Sequence, residues 1–483
     1  MGHKSLGDFI EAADAVGEVK QIHGAALELE VGCLTELSAE RNGPLLLFDR
    51  FEGFPEDFRV ASNVVRNNRR RYALAMGLPL DAHAIAMVQE LRQRRRTRQP
   101  FAPLLLNDGP VLAHRISGQE VDISKFPAPV WHSGDGGRYI GTGDIVIVQD
   151  PESGWINFGT YRVCVQGKDK LSIWIIRHKR SRLIAEKYWS KGQACPVAVV
   201  LGCDPLTYMA GTSRLKYEEA GALHGAPVEV VKAPWSGLPV PAHAEIVMEG
   251  EIPSPAEETV QEGPFGEWPG YYSHCAPECV IRVKEIVHRS GPIINGTPPL
   301  RPLIGLMEDV PALAVAMWDH LERSGISDVV GVWGHANALF IVVAVKQRYP
   351  GHAQQALLAA AGLRGSASMY SYYVAVDDDI DPSDLKEVIW AMSTRVNPAT
   401  ALEVVHNAWT SDLDPRLTPE QKSSGDYTMG RLLINACKPY SWKNSFPRTN
   451  IFSSEERQGI RQKWAVVLRE IEEMAGKAAG KQK

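Results

Sequence analysis

The chain is poor in the features that announce several common classes of protein. Its seven cysteines (Cys33, Cys164, Cys195, Cys203, Cys275, Cys279 and Cys437) are odd in number and scattered. That pattern predicts no disulfide framework and fits a reducing cytoplasm. "HCAPEC" (His274–Cys279) has no second ligand pair at zinc-site spacing, which argues against structural zinc. No apolar run approaches the ~18 residues of a membrane-spanning helix, so no membrane partner is expected. The opening "MGHKSLGDFIEAADAVGEVK" has neither the basic start nor the apolar stretch of a secretory signal. Net charge is near −5, so there is no broad basic field to hold nucleic acid. Walker A, dinucleotide-binding and nucleophile-elbow motifs are missing. "GDGGRYIGTGD" (Gly134–Asp144) is glycine-rich, but it precedes a strand-like run and offers no helix N-terminus to a phosphate.

What remains is an ordinary globular composition, 44% hydrophobic and 23% charged over 483 residues. That length predicts roughly two to four domains. The first hundred or so residues read as a small α/β unit. "SLGDFIEAADAVG" has a serine cap and a closing glycine, "PLLLFDRF" is of strand type, and "HAIAMVQELRQRRRTRQP" is helical. The basic run that ends it (Arg92, Arg94, Arg95, Arg96, Arg98) reads as a solvated helix end or a subunit contact. From about residue 115 to 300, short β-branched runs recur between turn residues, among them "GDIVIVQD", "CPVAVVLG" and "ECVIRVKEIVHR". They predict a largely antiparallel sheet, closed or folded into a barrel, with one helix at "SRLKYEEAGALHG". After residue 305 helix and strand alternate in α/β fashion. The tail "SEERQGIRQKWAVVLREIEEM" is amphipathic with helical spacing, as in a segment that docks on a neighbouring subunit.

The most informative stretch is "QEGPFGEWPGYYS" (Gln261–Ser273). It sets Glu262 and Glu267 five residues apart in a turn stiffened by proline and crowded by aromatics. Mutually repelling carboxylates leave one protonated near neutral pH, which suits a general acid; the competing reading is a solvated acidic loop. In "INFGTYRVCV", Arg162 enters a run with few other charges, and a buried arginine needs a carboxylate partner, for which Glu262 or Glu267 would serve. Asn157 in the same run and His178 in "IIRHKR" could together hold a divalent ion or a phosphate. Asp377, Asp378, Asp379 and Asp381 lack the later residues of an EF-hand loop, so they read as a strand end before a helix capped by Asp381 or Ser383. Lys386 and Arg395, nine apart, could both reach a phosphate.

The Arg162 segment, "EGPFGEWPGYY" and "VDDDIDPSDLKEVIWAMSTR" occur in one order, with "NNRRRYALAMGLP" before them and "GRLLINACKP" after. Over essentially its full length the chain resembles the UbiD family of prenylated-flavin decarboxylases. The resemblance implies an α/β (α+β) chain: an N-terminal α/β domain (1–114), a split β-barrel that binds prenylated FMN (115–304), a C-terminal α/β domain (305–445), and a linker with a terminal helix (446–483) that contacts a second copy. It implies Arg162, Glu262 and Glu267 as the catalytic trio, with Glu267 as proton donor and Arg162 holding Glu262. Cofactor contacts fall on Asn157, Arg162, His178, Lys216 and Lys386. A divalent metal (Mn or Mg) would sit on Asn157 and His178 beside K+. The family's third ligand, a glutamate, is Lys216 here, in "LKYEEAGAL"; either Glu218 or Glu219 replaces it, or the Lys216 ammonium meets the phosphate directly.

The resemblance also implies a carboxylic acid substrate that is aromatic, heteroaromatic or α,β-unsaturated, CO2 as product, a UbiX-type flavin prenyltransferase as cofactor supplier, and a homodimer or homohexamer. Trp174, Arg177, Trp268, Leu300, Arg301 and Ile304 fall near the implied pocket. Arg177 and Arg301 raise a dicarboxylate, such as a furan dicarboxylate, as substrate. A flavin oxidoreductase on a split barrel and a non-catalytic homologue are the rival readings.

Overall fold

In the computed structural model, the described residues are 2–471 and 474, less 67, 177–178, 214, 302–309 and 364–368. Arg177, His178 and Ile304, to which the sequence assigns site roles, therefore lie outside them. Residues Met1–Cys437 make one unit and Lys438–Lys483 a second.

The centre of the first unit is a ten-stranded sheet in which every pairing is antiparallel. Its path ends on Tyr139–Gly141 and Ile156–Gly159, which do not pair with each other among the described residues, so no closed barrel forms. The inner strands explain why hydropathy showed continuous runs instead of alternation. Along Cys195–Leu201, the side chains of Val197, Val199 and Leu201 enter one core, and those of Ala198 and Val200 the other. Asp144–Gln149 divides likewise: Ile145 and Ile147 face one core, Val146 and Val148 the other. Successive residues of a strand point to opposite faces, and here both faces are dry.

Ala276–His288 is the longest strand, at 13 residues. It pairs with Lys170–Ile173, Ile246–Ile252, Thr259–Glu262 and His114–Ser117. The N-terminal sheet holds Val19–His23, Leu45–Asp49 and Arg59–Ser62, and recruits Ile293–Gly296 in parallel from far along the chain. A three-stranded sheet (Leu104–Leu105, Glu229–Lys232, Pro239–Pro241) and a mixed five-stranded sheet complete the unit. The five-stranded sheet runs Val329–His335, Phe340–Val345, Tyr372–Asp377, Thr428–Asn435, Leu402–Trp409.

Most predicted helices form where their caps place them. Ser5 Oγ accepts from the Asp8 N–H at 3.0 Å, and the Asp8 carboxylate accepts from the Ser5 N–H at 3.2 Å, a capping box that starts Leu6–Ala15. Two expectations are corrected. The basic run that ends Ala84–Thr97 and continues to Arg98 is only partly solvated, with Arg95 and Arg96 exposed. Arg92 and Arg96 each bond Asp319 at 2.7 Å on the helix Val310–Arg323, Arg94 pairs with Glu90, and Arg98 caps the carbonyls of Ala222 and Leu223. Acids on the facing helix take up the charge of Arg92 and Arg96. The helix Leu385–Arg395 is capped by Asp384, whose side chain accepts from the Lys386 N–H, instead of by Asp381 or Ser383. Asp381 is turned toward Ser383 and His83.

In the second unit, Ser453 and Glu456 form a capping box that opens the helix Ser454–Lys463. Helical structure is interrupted at Trp464 (φ −113°, ψ 25°) and resumes over 465–471, so the tail is two helical pieces.

Candidate active site

The turn that carries Glu262 and Glu267 is held from both sides. Thr259–Glu262 pairs with the long strand, setting Glu262 opposite Ala276. Beyond it the chain folds back so that Phe265 and Ser273 bond each other through the Phe265 N–H to Ser273 Oγ (3.1 Å) and the Ser273 N–H to the Phe265 carbonyl (2.9 Å). The glycine-rich stretch clamps the other side. Asp135 accepts from the Gly266 N–H at 3.0 Å and from the His132 N–H at 2.9 Å, the Gly136 N–H donates to the Pro264 carbonyl at 2.7 Å, and the Gly134 N–H donates to Tyr272 Oη at 3.1 Å. The approach is close enough that a Cβ on Gly136 would lie 2.1 Å from the Gly263 carbonyl oxygen, while Gly263 itself has φ +90°. Glycine is therefore required on both faces of the contact.

This clamp brings the trio together. Arg162 donates from Nε to Glu262 Oε1 at 2.8 Å and from one terminal nitrogen to Glu262 Oε2 at 2.6 Å, a bidentate pair; its other terminal nitrogen bonds Glu267 Oε1. The guanidinium lies over Trp174, 4.4 Å from the ring centroid, with Phe265 at 5.5 Å. Tyr139, missed by the sequence reading, donates its hydroxyl to Glu262 Oε1 at 2.8 Å. Glu262 is 1% exposed and Glu267 9%. Burial pushes the Glu267 carboxyl up to about 7, with the Glu262 charge adding to the rise and Arg162 opposing it. One carboxyl of the pair is thus poised to carry a proton at neutral pH.

Trp174, under the Arg162 guanidinium, also lines a cavity of about 630 Å³, within the range of sites that enclose cofactor-sized molecules; Arg162, Glu262 and Glu267 themselves are not on its wall. Aromatic side chains wall it: Phe158, Tyr161, Trp174, Trp409 and Tyr427. Asn157 lines it too, 5% exposed, and its Nδ2 donates to Ser181 Oγ at 2.8 Å, which leaves the amide oxygen as the end offered to a cation. Lys179, Arg180 and Arg182 enter from the start of the helix Arg180–Trp189. That helix escaped the sequence reading because its opening is basic.

Other expected residues are placed elsewhere. Lys216 is the exposed N-cap of the helix Tyr217–His224; its N–H donates to Glu219 Oε2 at 2.9 Å, which engages Glu219 in the cap, and Glu218 is partly buried. Lys386 is exposed on its helix, and Arg395 is committed to Asp377 and Asp379. Trp268 is partly buried, Leu300 is buried and Arg301 exposed, and none of the three lines the cavity.

Three family models match in order: the 3-octaprenyl-4-hydroxybenzoate carboxy-lyase N-terminal domain (10–91), Rift-related domain (105–302) and C-terminal domain (310–436). The chain is 31% identical over 463 residues to a phenolic acid decarboxylase of Streptomyces sp. (strain D7), spanning 91% of this chain and 93% of that one. The chain belongs to the UbiD family. Members are carboxy-lyases, and this UbiD chain is read as one. It is also 31% identical to a pyrrole-2-carboxylic acid decarboxylase of Pseudomonas aeruginosa, over 89% of this chain and 90% of that one. The UbiD-class enzyme HmfF from Pelotomaculum thermopropionicum, solved with FMN, superposes at TM-score 0.81 with 27% identity, covering 94% of this chain and 98% of that one. An evolved dimeric form of it, solved with prFMN, superposes at 0.77 with 26% identity, over 93% and 97%. Among the described residues no helix is long and apolar enough to cross a membrane.

Proposed function

We propose that this UbiD chain is a prenylated-FMN-dependent decarboxylase of an aromatic or heteroaromatic carboxylic acid, with Glu267 as proton donor. The observation that carries the reading is the buried carboxyl of Glu267, raised to about 7 and bonded to Arg162, whose guanidinium lies over Trp174 on the wall of a cavity of about 630 Å³. The residues present fit the flavin: a wall of aromatic rings, an amide oxygen on Asn157 free for a cation, and cationic side chains where a phosphate would enter. Prenylated FMN supplies, when bound, the electron sink that loss of CO2 from an unsaturated acid requires.

The chain does the rest. Trp174 and its aromatic neighbours orient a flat acid and exclude water. Arg162 fixes both carboxyl groups of the pair. Glu262, tied to Arg162 and Tyr139, keeps the guanidinium in place and faces Glu267 with negative charge. Glu267 then delivers its proton to the carbon that has lost CO2. Asn157 and His178 would carry a divalent metal, with K+ beside it. Either that metal or the Lys216 ammonium meets the phosphate, with Lys386 as a further phosphate contact. A flavin prenyltransferase supplies the cofactor, and the terminal segment, 446–483, joins copies into a homodimer or homohexamer. Relatives named for phenolic and pyrrole-2-carboxylic acids support an acid with a ring hydroxyl or ring nitrogen as substrate.

The test is co-expression with a flavin prenyltransferase, followed by absorption and mass spectra of the bound cofactor and CO2 release from an acid panel. Prenylated flavin with no CO2 from any acid would count against the decarboxylase reading. One manganese or magnesium per chain would exclude direct contact of Lys216 with the phosphate.

A further inference from the structure

Glu278 belongs to none of the roles above, yet it lines the same cavity. It lies on the long strand opposite Val260, two residues before the Glu262 position on the paired strand. Among the described residues it has no hydrogen-bond or ion-pair partner. The two cations that act on it are engaged elsewhere: Arg162 holds Glu262 and Glu267, and Arg182 bonds Glu186 at 2.9 Å and Cys279 Sγ at 3.3 Å and lies over Trp189 at 4.6 Å. Asp412, also on the cavity wall, accepts among the described residues only from the Ser411 hydroxyl, at 3.1 Å. The cavity therefore shows a half-buried carboxyl group with acceptor capacity unfilled, beside a second acid.

We propose that Glu278 is a specificity-determining residue that selects ring acids carrying a hydrogen-bond donor, a phenolic hydroxyl or a ring N–H, and disfavours acids carrying a second carboxylate. An oxygen of Glu278 accepts from the donor on the substrate. The acids Glu278 and Asp412 oppose a second negative group in the same space. This reverses the dicarboxylate expectation drawn from Arg177 and Arg301, and it rests on the decarboxylase reading above. Burial, with the Glu262 charge second, pushes the Glu278 carboxyl up to about 7, as for an acid held away from water without a partner.

The test uses holoenzyme loaded by co-expression, and four acids on comparable rings: unsubstituted, hydroxylated, N–H heteroaromatic and dicarboxylic. Flavin content is read by absorbance for the wild type, Glu278→Gln and Glu278→Leu. Glu278→Leu should lower the hydroxylated-to-unsubstituted ratio of kcat/KM by at least about tenfold, because a site built to bond a polar group discriminates through it. Glu278→Gln, which keeps an acceptor and the shape, should hold most of that ratio and turn over the dicarboxylic acid better than wild type. Flavin content should be equal in all three. Equal losses on all four acids, or loss of flavin from Glu278→Leu, would overturn the assignment and leave the decarboxylase reading standing. A flavin-loaded wild type that releases CO2 from none of the four acids would sink both.

Discussion

Two acidic segments of this chain look alike on paper and behave differently in space. Gln261–Ser273 and Leu215–His224 each carry two glutamates in a short helix or turn context. In the first, Glu262 and Glu267 converge on one buried guanidinium, with a tyrosine hydroxyl and a glycine clamp fixing the approach. In the second, Glu219 closes the cap of its own helix, and Lys216 points to solvent. A carboxylate becomes chemistry when a counter-charge from a distant strand is buried with it; otherwise local geometry uses it to start a helix. The contrast also separates the parts of the site. Arg162, Glu262 and Glu267 are tied by direct bonds to one another, whereas among the described residues Lys216 and Lys386 bond within their own helix starts.

The comparison can be broken most severely at its centre. Arg162→Ala leaves two buried carboxyl groups without their cation, and removing one partner of a buried ion pair costs about 3–5 kcal/mol. Denaturant unfolding should show that loss, and CO2 release should vanish. Glu267→Gln keeps volume and hydrogen bonding but carries no acidic proton. It should cut kcat by about 10²–10⁴-fold with unfolding unchanged within error, and full turnover would refute the donor role. The sign of the pH effect follows from the same group. Its carboxyl is raised to about 7, so the protonated donor is populated below that pH and is lost above it. In the wild type kcat should fall about tenfold per unit well above pH 7, a limb that Glu267→Gln lacks.

Asp135→Ala sharpens the comparison one step out. It leaves the Gly266 and His132 N–H groups without their acceptor, at a cost of about 1–3 kcal/mol, and should lower kcat more than it raises KM because the Glu267 turn loosens. Lys216→Ala lies at the small end. An exposed cap position should shift stability by no more than about 0.5 kcal/mol, and any fall in flavin retention without a fall in melting temperature would tie the ammonium to the phosphate.

The trio was legible because five residues of spacing, a stiff turn and a lone arginine form a local pattern, and because that pattern resembles a known family. The helices were legible through their caps. Other parts depended on partners that no local window contains. Arg92 finds Asp319 across 227 positions, so the basic run looked like surface. Tyr139 reaches Glu262 across 123, and the strand register sets Glu278 against the cavity; neither leaves a local mark. The glycine-rich stretch was rightly denied a helix N-terminus, but its use as a clamp on "EGPFGE" shows only when both loops are folded. Hydropathy could not separate the two cores of the central sheet, since a strand that feeds both is apolar at every position.

The strand Ala276–His288 has a consequence for redesign. It sets the phase between the acid turn and the cavity wall, because the pairings Glu262↔Ala276, Val260↔Glu278 and Ile173↔Cys279 all hang on one rail. A single residue inserted between Ala276 and Pro277 would put Glu278 and Cys279 out of phase with Ala276, since one step of register turns every following side chain to the opposite face. Side chains on this rail can be exchanged one by one to retune what the cavity accepts. Its length cannot be changed, so new specificities are reached by substitution there and by insertion only in the loops beyond its ends.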